Sequence, residues 1–455
     1  MSNNSYIETH SIEPIPDSKR YGNIFSQFTL WMGVNLQITA VITGALAIVF
    51  GGDVFWSLIG LAIGQVAGGV VMALHAVQGP KLGIPQMISS QAQFGVYGAC
   101  LPVLLVCLMY LGFIATGVIL SGQAISALFG ISENSGILLF TVATLIVAYV
   151  GYRLIHVLGK LASLIGIIAF VYLFWKISTL HPLTELITVQ PFRWSTFLTA
   201  VGLSASWQIT FGPYVADYSR YLPRNTSPYK VFYAVGGGSV IGAQTAMTMG
   251  VLAATIFQNK FMGHEVDYIV SLGGTGAVAI VLYLSIVFGK LTVNTLNAYS
   301  GLMCLTIVYS YISRKGKVSQ WERFMMLVAI IVVATGAALL GQHTFLIAFK
   351  SFLFFLLTFL TPWSAINLVD YYFFNHRTID IAALNDPKGK YRAWNSTGFG
   401  VYILGVIVQI PFINNVFYSG PMVELLGNVD ISWIIGLVIP AVIYYNLRKH
   451  QSTNY

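Results

Sequence analysis

Two short polar stretches interrupt otherwise apolar runs of the chain. One is Asn35-Leu36-Gln37-Ile38-Thr39, after Gly33; the other is Ser206-Trp207-Gln208-Ile209-Thr210, before Gly212-Pro213. Further on, Lys290, Asn294, Asn297 and Gly301 recur at i, i+4, i+7 and i+11 and share one helical face, with Thr292, Thr295 and Tyr299 on the adjacent one. A fourth set, Tyr110, Phe113, Gly117 and Ser121, makes an aromatic and small-residue stripe. Carboxamides such as Gln37, Gln208, Asn294 and Asn297 can pair with the donor–acceptor edge of a flat heterocycle. Rings such as Phe113 and Trp207 can stack on its faces, at about 1–3 kcal/mol per stacked ring. A charged partner would gain little from an uncharged ring while costing desolvation. With the Thr210 hydroxyl, these are the residue types that a pocket for a planar, neutral molecule needs. Each set also has a plainer reading. The two polar stretches could be packed kinks, and the amide face could be interhelical hydrogen bonding. Taken alone, the Tyr110 stripe reads better as packing.

The elements that would hold these residues follow from composition. The 455 residues include 23 Lys+Arg and 15 Asp+Glu, so 8% are charged, against about 25% for soluble domains. Hydrophobic residues make up 56% of the chain. A soluble protein of this size could not cover its surface with so few charges. Three cysteines exclude a disulfide scaffold. Cys100, Cys107 and Cys304 lack metal or redox spacing and read as small packing residues. The class is therefore an all-α polytopic membrane protein. Apolar windows of about 20 residues predict twelve transmembrane helices, near 27–50, 54–77, 99–127, 134–151, 154–177, 196–216, 231–257, 276–308, 323–341, 344–369, 396–416 and 430–447. The runs are continuous rather than alternating, which argues against a β-barrel. Residues 1–24, with Glu8, Glu13 and Asp17, do not fit a cleavable signal.

Basic residues orient the spans. With the N-terminus inside, only Arg193 and Lys260 of the 23 fall in outer loops, and Lys160, Lys176, Lys290 and Lys350 fall within spans. The rest lie on the inner side, Arg153, Arg314, Lys315, Lys317 and Arg448 among them. Both termini are thus expected in the cytoplasm of a plasma-membrane protein. The net charge of +8 then needs no nucleic-acid partner. The two polar stretches sit in spans one and six, five spans apart and of opposite orientation. That is the arrangement of an inverted five-plus-five repeat with broken helices at the midplane, and Pro213, lacking a donor, is expected to open span six. The predicted plan is a tail (1–24) and one transporter domain (25–455). Within it lie a first repeat (25–177), a second (196–373), two peripheral helices (396–447) and a tail (448–455). Neither His-Glu-x-x-His, a mid-membrane Asp pair nor a Gly-x-x-x-x-Gly-Lys-Ser/Thr loop occurs, so an intramembrane enzyme or an ATP-driven pump is unsupported. A nutrient sensor without transport is the remaining alternative class.

Four stretches carry a family likeness: Gly79-Pro80-Lys81-Leu82-Gly83-Ile84-Pro85-Gln86-Met87 with Gln91-Ala92-Gln93-Phe94-Gly95-Val96-Tyr97-Gly98; Ala216-Asp217-Tyr218-Ser219-Arg220-Tyr221-Leu222-Pro223; Asn294-Thr295-Leu296-Asn297-Ala298-Tyr299-Ser300-Gly301; and Asp370-Tyr371-Tyr372. In order and spacing they resemble the nucleobase–cation symporters, which include cytosine and purine–cytosine permeases and the hydantoin transporter. The resemblance implies the leucine-transporter fold, of ten helices in two inverted repeats plus two peripheral ones. It also implies alternating access and cation-coupled uptake of a flat heterocycle by a monomer in the lipid bilayer, without a cofactor. The cargo it points to is a purine or cytosine; the alternatives on the same scaffold are allantoin, hydantoin, thiamine or its hydroxymethylpyrimidine precursor, or an amino acid. By resemblance the ring stacks on Phe113, with Tyr110 one turn earlier, and on Trp207 or Gln208. Gln37, Asn294 and Asn297 then supply the amides.

The sodium positions of the family would match Gly33 and Leu36 or Gln37 in span one, and Phe288, Leu291 and Thr292 in span eight. Only Thr292 keeps a hydroxyl, and Lys290 beside them would repel sodium. The expectation is that Lys290 substitutes for the ion or carries a proton, burial making a lysine titratable, so that a proton is preferred to sodium as the coupling ion. The plainer reading is a snorkelling or paired lysine. Asp217 and Asp370, at cytoplasmic ends, suit closure contacts instead. Lys350 has no expected role.

Overall fold

The computed structural model of the protein describes residues 14–453 apart from 151, 314–317, 376 and 417, with the side chains of 150, 152–163, 259, 452 and 453 also left aside. The expected inner-loop residues Arg314, Lys315 and Lys317 and tail residues 1–13 lie outside the described residues. So do the side chains of Arg153 and Lys160.

The described chain is helical, with one isolated bridge between Asn414 and Ser419. In order, the main helices are α1 (Ile24–Asn35), α2 (Ile38–Val49), α3 (Val54–Ala76), α4 (Cys100–Phe129), α5 (Glu133–Val150), α6 (Tyr152–Leu180), α7 (Trp194–Ile209) and α8 (Gly212–Ser219). There follow α9 (Pro228–Phe257), α10 (Glu265–Gly273), α11 (Ala277–Ser313), α12 (Gln320–Gly341), α13 (Phe345–Val369), α14 (Ser396–Ile407) and α15 (Ser432–Thr453). Among the described residues, five helices are long and apolar enough to cross a membrane, or six with the bent pair α1–α2 counted as one. Helices start on polar caps: Asn23 and Ser26 form a reciprocal capping box, as do Ser319 and Glu322, and Asp53 accepts from Trp56 N at 3.0 Å. Helix α14 stops at Ile407, short of the expected 416. Pro411 cannot donate to the ladder, and 410–412 tighten into a 3₁₀ turn.

Both expected interruptions occur. Between α1 and α2 the axis turns by 57°. The Asn35 side chain donates to Trp31 O at 2.7 Å, competing for the helical acceptor, and Gln37 is extended (φ −145°, ψ 158°). Between α7 and α8 the break is shallower, since Thr210 and Phe211 keep right-handed helical angles. Pro213 has no N–H for Ile209 O, and the Thr210 hydroxyl caps Trp207 O at 2.7 Å.

Helix α3 lies along α7, α4 along α11, α13 along α15, and α9 against α1, α2 and α3. At Gly250 an added Cβ would stand 1.8 Å from Val41 O, so α9 and α2 meet backbone to backbone and only glycine fits. At one end of the bundle the family-like stretches converge. Asp217 Oδ1 accepts from Gln86 N at 2.7 Å. Gln93 donates to Asp370 Oδ2 at 2.8 Å, and Tyr444 and Arg448 reach Asp370 Oδ1 at 3.0 and 3.4 Å. A buried relay of Gln86, Gln78, Asn367 and Gln93 joins these contacts to His75, which stacks on Trp363.

Candidate functional site

The site is built on the α1–α2 break and the helices facing it. Opening the helix frees oxygens at the C-terminal, electronegative end of α1. Lys290 of α11, 2% exposed, points into this gap. Its ammonium donates to Thr39 Oγ1 at 2.7 Å and to Gln37 Oε1 at 3.2 Å. It therefore does not snorkel. Gln37 is held by its own donation to Val34 O at 3.1 Å. The Gly33 carbonyl accepts from Leu36 N at 3.1 Å, whereas the Leu36 carbonyl accepts no hydrogen bond among the described residues. Thr292 lies away from the ammonium, its hydroxyl back-bonding to Phe288 O at 3.1 Å, and Phe288 is turned outward, 42% exposed. Two of the three ammonium donors are thus used on neutral oxygens, with no carboxylate in contact among the described residues.

The second half of the site is a buried polar knot beneath Trp207. The indole Nε1 donates to Asn35 Oδ1 at 2.6 Å, and Asn35 Nδ2 donates to Ser239 Oγ at 3.0 Å. Ser239 in turn donates to Gln208 Oε1 at 2.7 Å, and Gln208 Nε2 to Gln65 Oε1 at 2.5 Å. The Gln208 amide is therefore engaged between α3 and α9, while Trp207 is locked to the end of α1. Trp207 meets Phe113 at 6.0 Å between ring centres and 89° between planes; Phe113 meets Phe352 at 5.4 Å and 80°. A ring stacked on both Phe113 and Trp207 requires one of them to turn, since an edge-to-face pair leaves no parallel slot. Tyr110 lies one turn from Phe113, 5.7 Å from the Tyr214 ring.

Asn294 completes the arrangement. It is fully buried, and Nδ2 donates to Ile114 O at 3.0 Å while Oδ1 has no partner. It sits against Gly117, where an added Cβ would stand 2.0 Å from Oδ1. The side chain of Asn297, half-buried, has no hydrogen bond among the described residues. A buried, unpaired amide acceptor costs free energy unless a donor arrives. Its setting against Gly117, one turn along α4 from Phe113, suits an N–H on the edge of a planar ligand. The structure therefore brings Gln37 and Lys290 together at the break, and gathers Phe113, Trp207, Thr210, Tyr110 and Asn294 along α4, α7 and α11.

Four polar participants were not among the candidate site residues: Asn35, Thr39, Gln65 and Ser239. Asn35 and Thr39 stand within the polar stretch of span one, so their type carried the signal. Ser239 lies in a Gly- and Ser-containing run that looks like any close-packed helix. Lys350 places its ammonium 4.1 Å from the centre of the Phe50 ring, a cation–π contact.

A family model for permeases of cytosine/purines, uracil, thiamine and allantoin matches residues 14–436. The chain is 37% identical over 453 residues to YxlA of Bacillus subtilis, named as a purine-cytosine permease, covering 97% of this chain and 96% of that one. It is 23% identical to the purine-cytosine permease fcyB of Emericella nidulans, over 98% of this chain and 89% of that one, and 22% identical to the allantoin permease of B. subtilis, over 97% and 93%. Among solved structures, inward-facing Mhp1 superposes with a TM-score of 0.79 at 15% identity, over 100% of this chain and 96% of that one. Mhp1, a nucleobase-cation-symport-1 family transporter, closed with bromovinylhydantoin bound, gives 0.76 at 17%, over 99% and 97%. The fold is that of these transporters.

Proposed function

The chain belongs to the family of permeases for cytosine/purines, uracil, thiamine and allantoin, and from that premise we propose that it imports a planar, neutral nucleobase, purine or cytosine, coupled to protons through Lys290. It is a membrane transporter of the nucleobase–cation symporter family and not an enzyme. In our reading twelve spans form two inverted five-helix repeats plus two peripheral helices, with both termini in the cytoplasm. The base stacks against Phe113 and Trp207, and its edge pairs with Asn294, with Asn297 and Gln37 nearby.

The observation that carries the coupling is the Lys290 ammonium between Thr39 and Gln37 at the helix break. A fixed cation there repels a sodium ion bound beside it, at a Coulomb cost of about 4 kcal/mol for two unit charges 4 Å apart at an effective dielectric of 20. The test is uptake by proteoliposomes of radiolabelled adenine, hypoxanthine, cytosine and allantoin under separate sodium and proton gradients. Expected is accumulation of a nucleobase that rises as the external pH falls, ignores sodium, and is lost in Lys290→Met. Sodium-dependent, pH-insensitive uptake, or normal transport by Lys290→Met, overturns the reading.

A further inference from the structure

We propose that protons reach Lys290 through a cleft of their own, separate from the nucleobase path; this rests on the proton-coupled reading of Lys290. A cavity of about 70 Å³ ends on Lys290 and is bounded by Leu36, Gln37, Gly166, Ser285 and Gly289, with apolar walls from α6, α9 and α10. Of the residues proposed to hold or flank the base, only Gln37 lines it; Phe113, Trp207 and Asn294 do not. A water needs roughly 10–15 Å³ of such space and two or more polar partners, so a short file of waters fits. The partners are present: the third ammonium donor of Lys290, the unpaired Leu36 carbonyl, and the Ser285 hydroxyl, which otherwise bonds only within its own helix to Leu282 O at 3.0 Å. Besides the helix break, the cleft is lined by Ile269 and Val270 of α10, the helix joining α9 to α11, which the proposed orientation puts outside.

No acidic side chain lines the cleft. Among the described side chains, the titratable groups on the surrounding elements are Tyr172 and Lys176 on α6, Glu265, Asp267 and Tyr268 on α10, Tyr283, Tyr299, Cys304, Tyr309 and Tyr311 on α11 beside Lys290 itself, Cys100, Cys107 and Tyr110 on α4 and, at the far end of α9, Tyr229, Lys230 and Tyr233; α2 has none. Tyr172 donates to Gly273 O at 2.7 Å, Tyr283 to Asp267 Oδ1 at 3.0 Å, and Glu265 accepts from Gln123 at 2.8 Å. The transfer is then direct. A hydronium at the inner end of the water file gives its proton to neutral Lys290 Nζ, forming an N–H bond and leaving water. After the site reverses, that N–H bond breaks to a water on the inner side.

Two glycines make the cleft easy to plug. A Cβ at Gly289 meets nothing within 4 Å, and one at Gly166 only Leu36 O at 3.9 Å. Gly289→Leu in the full-length protein is expected to lower proton-driven nucleobase uptake by about tenfold or more while leaving equilibrium binding of the same labelled base unchanged. Gly336→Leu, on α12 where a Cβ also meets nothing, controls for adding a leucine to a helix and keeps wild-type uptake. The route is overturned if Gly289→Leu keeps wild-type uptake and pH profile, or if it loses binding in step with uptake. Failure of the coupling reading looks different: wild-type uptake is then insensitive to pH, or Lys290→Met transports normally.

Discussion

Asn294→Leu separates ligand recognition from packing more sharply than any other change at the site. Leucine matches asparagine in shape, so the close fit against Gly117 persists. What changes is polarity. The native Oδ1 is buried with no partner, which costs about 1–3 kcal/mol, and Nδ2 makes one neutral bond to Ile114 O at 3.0 Å, worth about 1 kcal/mol. Removing both leaves the ligand-free protein as stable as the native one, or more stable by up to about 2 kcal/mol. Binding moves the other way. Loss of the acceptor for a ring N–H forfeits about 1–3 kcal/mol, a roughly 5- to 150-fold weaker affinity. The measurements are thermal unfolding of the purified ligand-free protein and equilibrium binding of labelled adenine, hypoxanthine and cytosine. A leucine variant that binds like the wild type refutes the assignment. One that melts early while binding normally shows Asn294 to be interhelical glue.

Two further outcomes follow from single contacts. In Gly117→Ala the new Cβ would lie 2.0 Å from Asn294 Oδ1, so the amide must swing away; affinity should fall about tenfold, and the effect should vanish in an Asn294→Ala background if the two act together. At the bundle end where the family-like stretches meet, Asp370→Ala strands the donors of Gln93, Tyr444 and Arg448 around a 1% exposed site, and should destabilise the protein by about 3 kcal/mol, read as a lower melting temperature, with Arg448→Ala costing less because its side chain is 31% exposed.

Much of this was legible in the chain because apolar context makes every polar residue conspicuous. Gly33, Asn35 and Gln37 inside an apolar run signalled the break in α1–α2, and the 3.6-residue period placed Lys290 and Asn294 on one inward face. Periodicity fixes a face but not what lies opposite it. Thr39 as the partner of Lys290, Ser239 as the link from Asn35 to Gln208, and the perpendicular setting of Phe113 on Trp207 all depend on how separate helices cross, which no local pattern encodes. For the same reason Thr292, adjacent in sequence to Lys290's turn, proved to satisfy its hydroxyl on its own helix. The early end of α14 had a local cause, Pro411, but its effect was masked by the hydrophobicity of Ile410, Phe412 and Ile413, which extended the apolar window past the last helical turn.

A tethered cation also constrains the energetics of transport. A free ion couples because its gradient is spent when it leaves on the far side. Lys290 cannot leave, and its partners Thr39 Oγ1 and Gln37 Oε1 are neutral. A lysine that kept its proton through the whole cycle would present the same charge to both faces, and a group that is unchanged between states can redistribute their populations but draws nothing from a gradient. If Lys290 is the coupling group, as proposed, accumulation against a concentration difference requires the ammonium to exchange its proton once per cycle. This in turn requires water to reach Nζ on each side. Neutral oxygens serve that exchange better than a carboxylate, whose charge would hold the proton on lysine throughout. The absence of an acid at the break and the presence of a solvent-sized cleft beside it are, on this argument, two parts of one design.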